Sequence, residues 1–243
     1  MGVRIPSPTL MFKKIKYLLV DTAGQVTAVV VTKVPRLKQS DVSKMILKKN
    51  KTTEQVLFIE RYPNKYRLQM MGNELSINGS LAGLFVLEKA YNIKKIKVEI
   101  SGLDLPIKAT ICNNTTEAYF PLSIFKQYKS KTVSLAGISY LLIPLNRSVP
   151  EFIQKSKLLL KVKAKTLTIP AMGIIFFKKG YIKPLVYVKD TNSFIWESAC
   201  GSGSLSYYIY SGISKIKQPS NKFIEVKRKN NYFSVKCATS ILK

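Results

Sequence analysis

Cys200 is the residue of this sequence best placed to do chemistry, because it opens the glycine- and serine-rich segment Cys200-Gly-Ser-Gly-Ser204. A turn of this kind at the start of a helix presents unpaired N–H groups and the positive end of the helix dipole. We expect a thiol there to have a lowered pKa and to act as a base or nucleophile. The alternative is a small buried hydrophobic residue, which is the role we expect for Cys112 and Cys237 in their strand-like contexts.

A second segment repeats this pattern half a chain earlier. Residues 76–81, Ser-Ile-Asn-Gly-Ser-Leu, align with residues 200–205, Cys-Gly-Ser-Gly-Ser-Leu, so that Ser76 falls on Cys200. Each copy follows a strand-like region and precedes a helix-like one, which predicts two homologous lobes facing each other across a cleft. The two loops could hold an amino-acid carboxylate from both sides, or they could be ordinary helix N-caps, for which Ser80 and Ser204 are suitable.

The absence of histidine limits the possible chemistry. It excludes Ser-His-Asp and Cys-His nucleophile systems and any imidazole metal site. Three cysteines that are not clustered do not make a zinc site either, so we expect no metal. Acid–base chemistry in this chain must therefore use Cys, Ser, Glu, Asp, Lys or Tyr.

The elements that must position these loops are short strands and two main helices. Strand pairs are predicted at 15–20 with 26–34 and at 56–61 with 66–71, and an amphipathic helix over 81–91. In the second half we predict a strand at 158–162, a helix from 204 to about 210, and closing strands at 223–226 and 232–237.

Lysine dominates the charge: 40 basic and 13 acidic residues give a formal net charge of +27. Such a charge can attract nucleic acid or an anionic surface. However, the lysines are scattered and form no run of five like charges, which favours ordinary surface charge without a specific nucleic-acid partner. The apolar stretches are too short for a membrane span or a signal peptide, which predicts a soluble cytoplasmic protein. Residues 1–10 are predicted to be a non-structural leader.

Residues 195–203, Ile-Trp-Glu-Ser-Ala-Cys-Gly-Ser-Gly, resemble the second cysteine motif of the diaminopimelate epimerase family, and most closely that of its staphylopine-type histidine racemases. Residues 71–75, Met-Gly-Asn-Glu-Leu, resemble the segment that leads into the family's first cysteine motif, whose place residues 76–79 take. Residues 56–60 and 22–27 resemble two further family segments. The resemblance runs in the same order from about residue 15 to 210.

This resemblance implies an α+β protein, with two pseudo-symmetric lobes of mixed β-sheet or barrel, each wrapped around a central helix. The lobes are expected at 11–117 and 118–243. The implied reaction needs no cofactor: a base on one face of a substrate α-carbon takes the proton, and a group on the other face returns one. We expect Cys200 and Ser76 in these roles, a small-molecule amino-acid substrate as partner, and a monomer or homodimer. The expected substrate-binding residues are Gln25, Glu60, Asn78, Gly79, Ser80, Glu197, Gly201, Ser202 and Gly203.

The sequence departs from the family at the first motif, where Ser76 replaces the cysteine and Ile77 its glycine. A thiol has a pKa of about 8.5, and a serine hydroxyl is several units less acidic. Four functions therefore stay open. They are an amino-acid racemase or epimerase, a one-base lyase or isomerase of the same superfamily, a homologue that binds a small ligand without turnover, and an unrelated basic binding module.

Overall fold

A computed structural model describes residues 15–92, 97–145, 149–166, 169–190 and 192–242; the predicted leader at 1–10 lies outside them. In the first half of the chain the elements are β1 (Tyr17–Thr22), β2 (Gln25–Val30), α1 (Arg36–Lys49), β3 (Thr53–Tyr62), β4 (Lys65–Met70), α2 (Ile77–Tyr91), β5 (Val98–Ile100), β6 (Leu103–Cys112) and β7 (Thr115–Pro121). After a 3-10 turn (Leu122–Ile124) follow β8 (Phe125–Lys129), β9 (Thr132–Leu135), β10 (Ile138–Pro144), α3 (Val149–Thr166), β11 (Ala171–Lys178), β12 (Tyr181–Val188), β13 (Ser193–Trp196), α4 (Gly201–Ser211), β14 (Lys215–Lys217), β15 (Phe223–Lys229) and β16 (Tyr232–Ile241).

The two halves of the chain repeat one topology. In the first half, β2 and β3 are parallel neighbours joined through α1, β3 and β4 form an antiparallel pair, and β4 continues through α2 to the parallel strand β5. In the second half, β10, α3, β11, β12, α4 and β14 are connected and paired in the same way, with β13 added beside β12. The pseudo-symmetric two-lobe architecture predicted from the repeated loop is confirmed.

A closed ring of eight strands surrounds α2. Strand β16 pairs with both β7 and β1, so the ring runs from β1 to β7 and closes through β16. Residues 77–87 of α2 are all buried, as expected for a helix that is apolar on every side. Because β16 comes from the end of the chain, the last strand completes the first barrel. The expected lobe boundary between residues 117 and 118 lies within β7.

The structure corrects the sequence-based reading of residues 158–162, which lie in helix α3 and not in a strand. A run of apolar residues is ambiguous between the two structures. Here Leu160 is 1% exposed and Leu158 is 66% exposed, so a single helical face is buried. Helix α1 was not predicted, because two of its buried residues, Gln39 and Ser43, are polar and hide the helical spacing.

Among the helices of the described residues, none is both long and apolar enough to cross a membrane.

Leu81 in α2 is fully buried, and its replacement tests whether this helix carries the core of the first lobe. We expect Leu81→Ala to lower the free energy of unfolding by about 3 kcal/mol, because the lost methyl groups leave a cavity. Leu105→Ala on β6 is the control, since Leu105 is 48% exposed, and we expect a change within about 0.5 kcal/mol. Urea unfolding followed by circular dichroism measures both; equal losses would contradict the assignment.

Candidate active site

Ser76 and Cys200 cap the two central helices in the same way. The Ser76 Oγ accepts a hydrogen bond from the Gly79 N–H at 3.0 Å, at the start of α2. The Cys200 Sγ accepts one from the Gly203 N–H at 3.1 Å, at the start of α4. Both capping residues have extended backbone conformations, which is typical of an N-cap. The two residues aligned by the sequence repeat therefore hold equivalent structural positions.

The N-termini of the two central helices meet between the lobes. The Asn78 Nδ2 of α2 donates to the carbonyl oxygen of Ala199, immediately before Cys200, at 3.2 Å. A methyl group on Gly201 would overlap the side chains of Ile77 and Asn78, so only glycine fits at this position. The first two N–H groups of each helix have no acceptor within their own helix. Together with two converging helix dipoles, they make this junction favourable for an anion.

A small pocket of about 20 Å³ separates the lobes and is lined by carboxyl, hydroxyl and apolar side chains from both. Its carboxyl groups belong to Glu74, which is buried, and to Glu197, which is partly buried and whose Oε2 atom is buried. Burial raises the pKa of each to about 7, and the charge of nearby carboxylates acts in the same direction. In each carboxyl group the Oε2 atom has no hydrogen-bond partner among the described residues. Near neutral pH, both groups are therefore poised to hold a proton or to pair with a cation.

A continuous chain of hydrogen bonds joins Ser76 to the carboxyl group beside Cys200. The Ser76 Oγ donates to the Gln55 Oε1 at 2.9 Å. The Gln55 Nε2 donates to the Gln25 Oε1 at 3.2 Å, and the Gln25 Nε2 donates to the Glu197 Oε1 at 3.1 Å. The Glu197 carboxyl group in turn lies near enough to the Cys200 thiol to raise its pKa. The two capping residues thus share one polar network that crosses the cleft.

The Cys200 thiol is buried among oxygen atoms. The Tyr140 hydroxyl lies 3.3 Å from its Sγ, and the Ser202 Oγ lies 3.6 Å away. Burial raises the pKa of Cys200 well above its usual range, and the carboxyl group of Glu197 raises it further. The sequence-based prediction of a lowered pKa is therefore wrong for this closed cleft. Hydrogen bonds with Tyr140 and Ser202 lower the pKa of Cys200, but burial outweighs them.

Comparison with known proteins decides the family. Residues 14–236 match the family model described as the histidine racemase CntK N-terminal domain. The chain belongs to this histidine racemase family. A histidine racemase of Fusobacterium nucleatum is 26% identical over 229 residues, which are 83% of this chain and 84% of that protein. A histidine racemase of Staphylococcus aureus is 24% identical over 181 residues, 67% of this chain and 66% of that protein.

Solved structures support the same fold. A hydroxyproline epimerase from Agrobacterium vitis, crystallised with trans-4-hydroxy-L-proline, superimposes with a TM-score of 0.60. The match covers 94% of this chain and 89% of that one at 11% sequence identity. The diaminopimelate-epimerase-like fold and the assignment to the amino-acid racemases and epimerases are confirmed.

Most of the residues expected to bind substrate surround the helix junction of this histidine racemase homologue. Glu197 and Ser202 line the pocket, and Gln25, which does not line it, donates a hydrogen bond to Glu197. Gly79 and Gly203 supply the N–H groups that donate to the Ser76 Oγ and the Cys200 Sγ. The other expected residues contribute less directly: the Ser80 Oγ donates to the Ser76 carbonyl oxygen, and Asn78 and Gly201 hold the two helices together.

Glu60 does not join this group. It lies five residues beyond Gln55 on β3, roughly 17 Å along the strand. There its carboxylate accepts hydrogen bonds from the Arg36 guanidinium at 2.9 and 3.1 Å. Its pKa is raised by burial, but hydrogen bonds from Arg36, Tyr62 and Gln39 more than compensate, so the pKa is lowered overall. Glu60 therefore lies apart from the helix junction, in the wall of a separate pocket that Arg36 also lines, and its role in substrate binding stays a prediction.

Sequence reasoning missed four residues of the site: Glu54, Gln55, Tyr140 and Gln218. Glu54 accepts from the Ser198 N–H at 3.0 Å, and the Cys200 N–H donates to the Gln218 Oε1 at 2.9 Å. Glu54 and Gln55 directly precede the strand segment matched to the family, which was the available signal. Tyr140 stands in an apolar strand and Gln218 in a short loop, and neither has a local pattern that sets it apart.

The buried carboxyl group of Glu197 predicts a stability that depends on pH. Its pKa is about 7 in the folded chain and about 4.3 in an unfolded one, so folding binds a proton between these values. The contribution of Glu197 to the free energy of unfolding should therefore be fully present below about pH 4.3 and be lost as the pH rises through 7. Glu197→Gln should flatten this decline by about 3 kcal/mol, measured by urea unfolding at pH 5 and pH 7.5.

Glu60→Gln is the control, because its pKa is shifted in the opposite direction. That variant should lose stability above pH 4.5, where the paired carboxylate is charged. A decline in Glu197→Gln as steep as in the native chain would show that this carboxyl group is not held neutral.

Proposed function

We propose that this chain interconverts the two enantiomers of an amino acid, with Cys200 on one face of the α-carbon and Ser76 on the other. The observation that carries the proposal is their equivalent position at the N-caps of two central helices that meet in one cleft. A proton taken from the α-carbon by one lobe can then be replaced from the other. General acid–base transfer between fixed groups supplies this kind of catalysis.

The junction has the features that an α-amino acid requires. The free first-turn N–H groups of α2 and α4 would bind the carboxylate and stabilise the charge that develops on it as the α-proton leaves. The buried carboxyl groups of Glu74 and Glu197 would face the ammonium group, with Glu54 held beside Glu197 through Gln25. Pairing with an ammonium would lower their raised pKa values and stabilise both charges.

A larger pocket of about 450 Å³ adjoins the junction and shares Met71 and Ile195 with it. Leu47, Phe194 and Trp196 give it an apolar, partly aromatic wall. We assign it to the substrate side chain. Histidine is the first substrate to test, because the named relatives are histidine racemases and a flat ring suits an aromatic wall.

The junction itself must open to admit a substrate. Its 20 Å³ holds about one water molecule, and an amino acid is several times larger. Since the lining residues come from both lobes, separation of the lobes provides the space, and closure then excludes water from the reacting groups. We expect the protein to act in the cytoplasm as a monomer or homodimer, with the amino acid as its partner.

One-base chemistry, as in a lyase or an isomerase of the same superfamily, is the second candidate, and the surroundings of Ser76 favour it. The Ser76 Oγ donates to the neutral amide of Gln55 and accepts from a backbone N–H. Neither partner can remove its proton. Cys200 would then exchange the α-proton on one face, without a working partner on the other.

Proton NMR in deuterated buffer separates these functions. We expect L-histidine, or another member of a panel of L-amino acids, to lose its α-proton signal while chiral chromatography detects the D-enantiomer. Signal loss without the D-enantiomer would identify one-base exchange. If no substrate, hydroxylated amino acids included, exchanges its α-proton, both candidate functions are contradicted. Ligand binding without turnover is then the remaining function.

Variants assign the two faces. Cys200→Ala should reduce exchange at least a thousandfold, whereas Cys237→Ala, which removes a buried thiol on β16, should leave it within about twofold. Ser76→Cys should raise the rate of racemisation at least tenfold, because a thiol is several pKa units more acidic than a hydroxyl. Exchange that survives in Cys200→Ala would remove Cys200 from the mechanism.

A further inference from the structure

Tyr140 is fully buried on β10 and has its hydroxyl group directed at the reacting sulfur. The hydroxyl lies 3.3 Å from the Cys200 Sγ and 2.8 Å from the Ser202 Oγ. From these contacts, and resting on the function proposed above, we infer that Tyr140 is a catalytic residue that stabilises the Cys200 thiolate by donating a hydrogen bond to it.

The fold makes room for this contact. Tyr140 pairs with Gly173 on the parallel neighbour β11, and a methyl group on Gly173 would overlap the Tyr140 ring. The ring therefore lies across a position that a side chain would fill. Burial raises the pKa of Tyr140 well above its usual range, so that the hydroxyl keeps its proton and serves as a donor.

The three hydroxyl and thiol groups can rearrange as Cys200 changes charge. Beside the resting thiol, Tyr140 can donate to Ser202. When the sulfur is an anion, Tyr140 can turn its proton to the Sγ while Ser202 donates to the Tyr140 oxygen. The thiolate then receives hydrogen bonds from Tyr140 and from the Gly203 N–H. Hydrogen bonds to an ion are the strong ones.

The first lobe lacks this donor at the equivalent place. In the second lobe, the third residue of β10, Tyr140, pairs with the third residue of β11, Gly173. In the first lobe, the corresponding pair on β2 and β3 is Thr27 and Gln55. There the capping residue Ser76 meets the amide oxygen of Gln55, an acceptor. The donor thus stands beside the thiol, whose anion it can stabilise, and the acceptor stands beside the hydroxyl, whose anion it would not stabilise.

The test measures how readily Cys200 ionises, independently of turnover. The native chain and Tyr140→Phe are treated with iodoacetamide from pH 6.5 to 9, and each cysteine is followed by peptide mass spectrometry. The alkylation rate at a given pH reports the fraction of thiolate. Tyr140 and Cys200 lie in the same lobe, so their contact is retained when the lobes separate to admit the reagent.

We expect Tyr140→Phe to slow alkylation of Cys200 at least tenfold at each pH, as loss of a hydrogen bond to a charged group implies. Exposed Cys112 and buried Cys237 are internal references, and their alkylation rates should not change.

Tyr207→Phe is the matched control. Tyr207 is a buried tyrosine of α4 whose hydroxyl contacts the backbone of residues 178 and 180 and not the Sγ. The charged or titratable groups around Cys200, namely Glu197 and, beyond it, Glu54 and Glu74, are the same in all variants.

A Cys200 rate in Tyr140→Phe equal to or above that in Tyr207→Phe would overturn the inference. If Tyr140→Phe does not fold, Ser202→Ala decides: it removes the donor to Tyr140 together with the direct contact of Ser202 with the Sγ. It should therefore slow Cys200 at least threefold, and no slowing would overturn the inference. In turnover, Tyr140→Phe should lower the rate of α-proton exchange with a smaller deficit at higher pH. Absence of exchange in the native chain would count against the proposed function alone, since alkylation requires no substrate.

Discussion

The contact between the N-termini of the two central helices is the constraint on which the site depends. Each helix is buried in its own lobe, so its first turn can reach the other lobe at one place only. Asn78 and Gly201 make this approach possible, one by bridging to the carbonyl of Ala199 and the other by having no side chain. The approach brings two sets of free N–H groups and both capping residues to one small volume. Every other feature of the site is arranged around that volume.

The buried carboxyl groups follow from the same geometry. A junction without bulk water cannot hold Glu74, Glu197 and the Cys200 thiol all in their charged forms, because each anion would be poorly solvated and would repel the others. Burial favours the protonated form of each of these groups, as the raised pKa values of all three indicate. A substrate ammonium brings the missing positive charge. Ionisation of the site is thereby coupled to binding, and a reactive thiolate need not exist in the empty protein.

The two capping residues and the lobe repeat could be predicted from the sequence because they depend on local rules. A glycine-rich turn before an apolar helix has a recognisable pattern, and its duplication at residues 76–81 and 200–205 indicated the two lobes. The pKa of Cys200 could not be predicted in this way. The local rule, a thiol at a helix N-terminus, gave the wrong sign because burial depends on how the two lobes close. Tyr140 could not be identified from the sequence for the same reason. An apolar strand predicts that its side chain is buried, but not which atoms its hydroxyl group contacts.

The surroundings of the two capping residues differ, which bears on the serine at position 76, the position at which the resemblance to the family predicts a cysteine. A pair of equivalent bases requires that either member can be the resting anion, and then both lobes need a hydrogen-bond donor beside the capping atom. In this chain the donor, Tyr140, is present beside Cys200, and an amide acceptor, Gln55, is present beside Ser76. The amide is held in that orientation because its nitrogen donates to Gln25 and Thr27. The first lobe is thus built to keep a hydroxyl protonated, which disfavours loss of the Ser76 proton and favours the one-base chemistry considered above over an equal exchange between two bases. Ser76 is therefore matched by its surroundings, and the two capping residues of the cleft lie in chemically different environments.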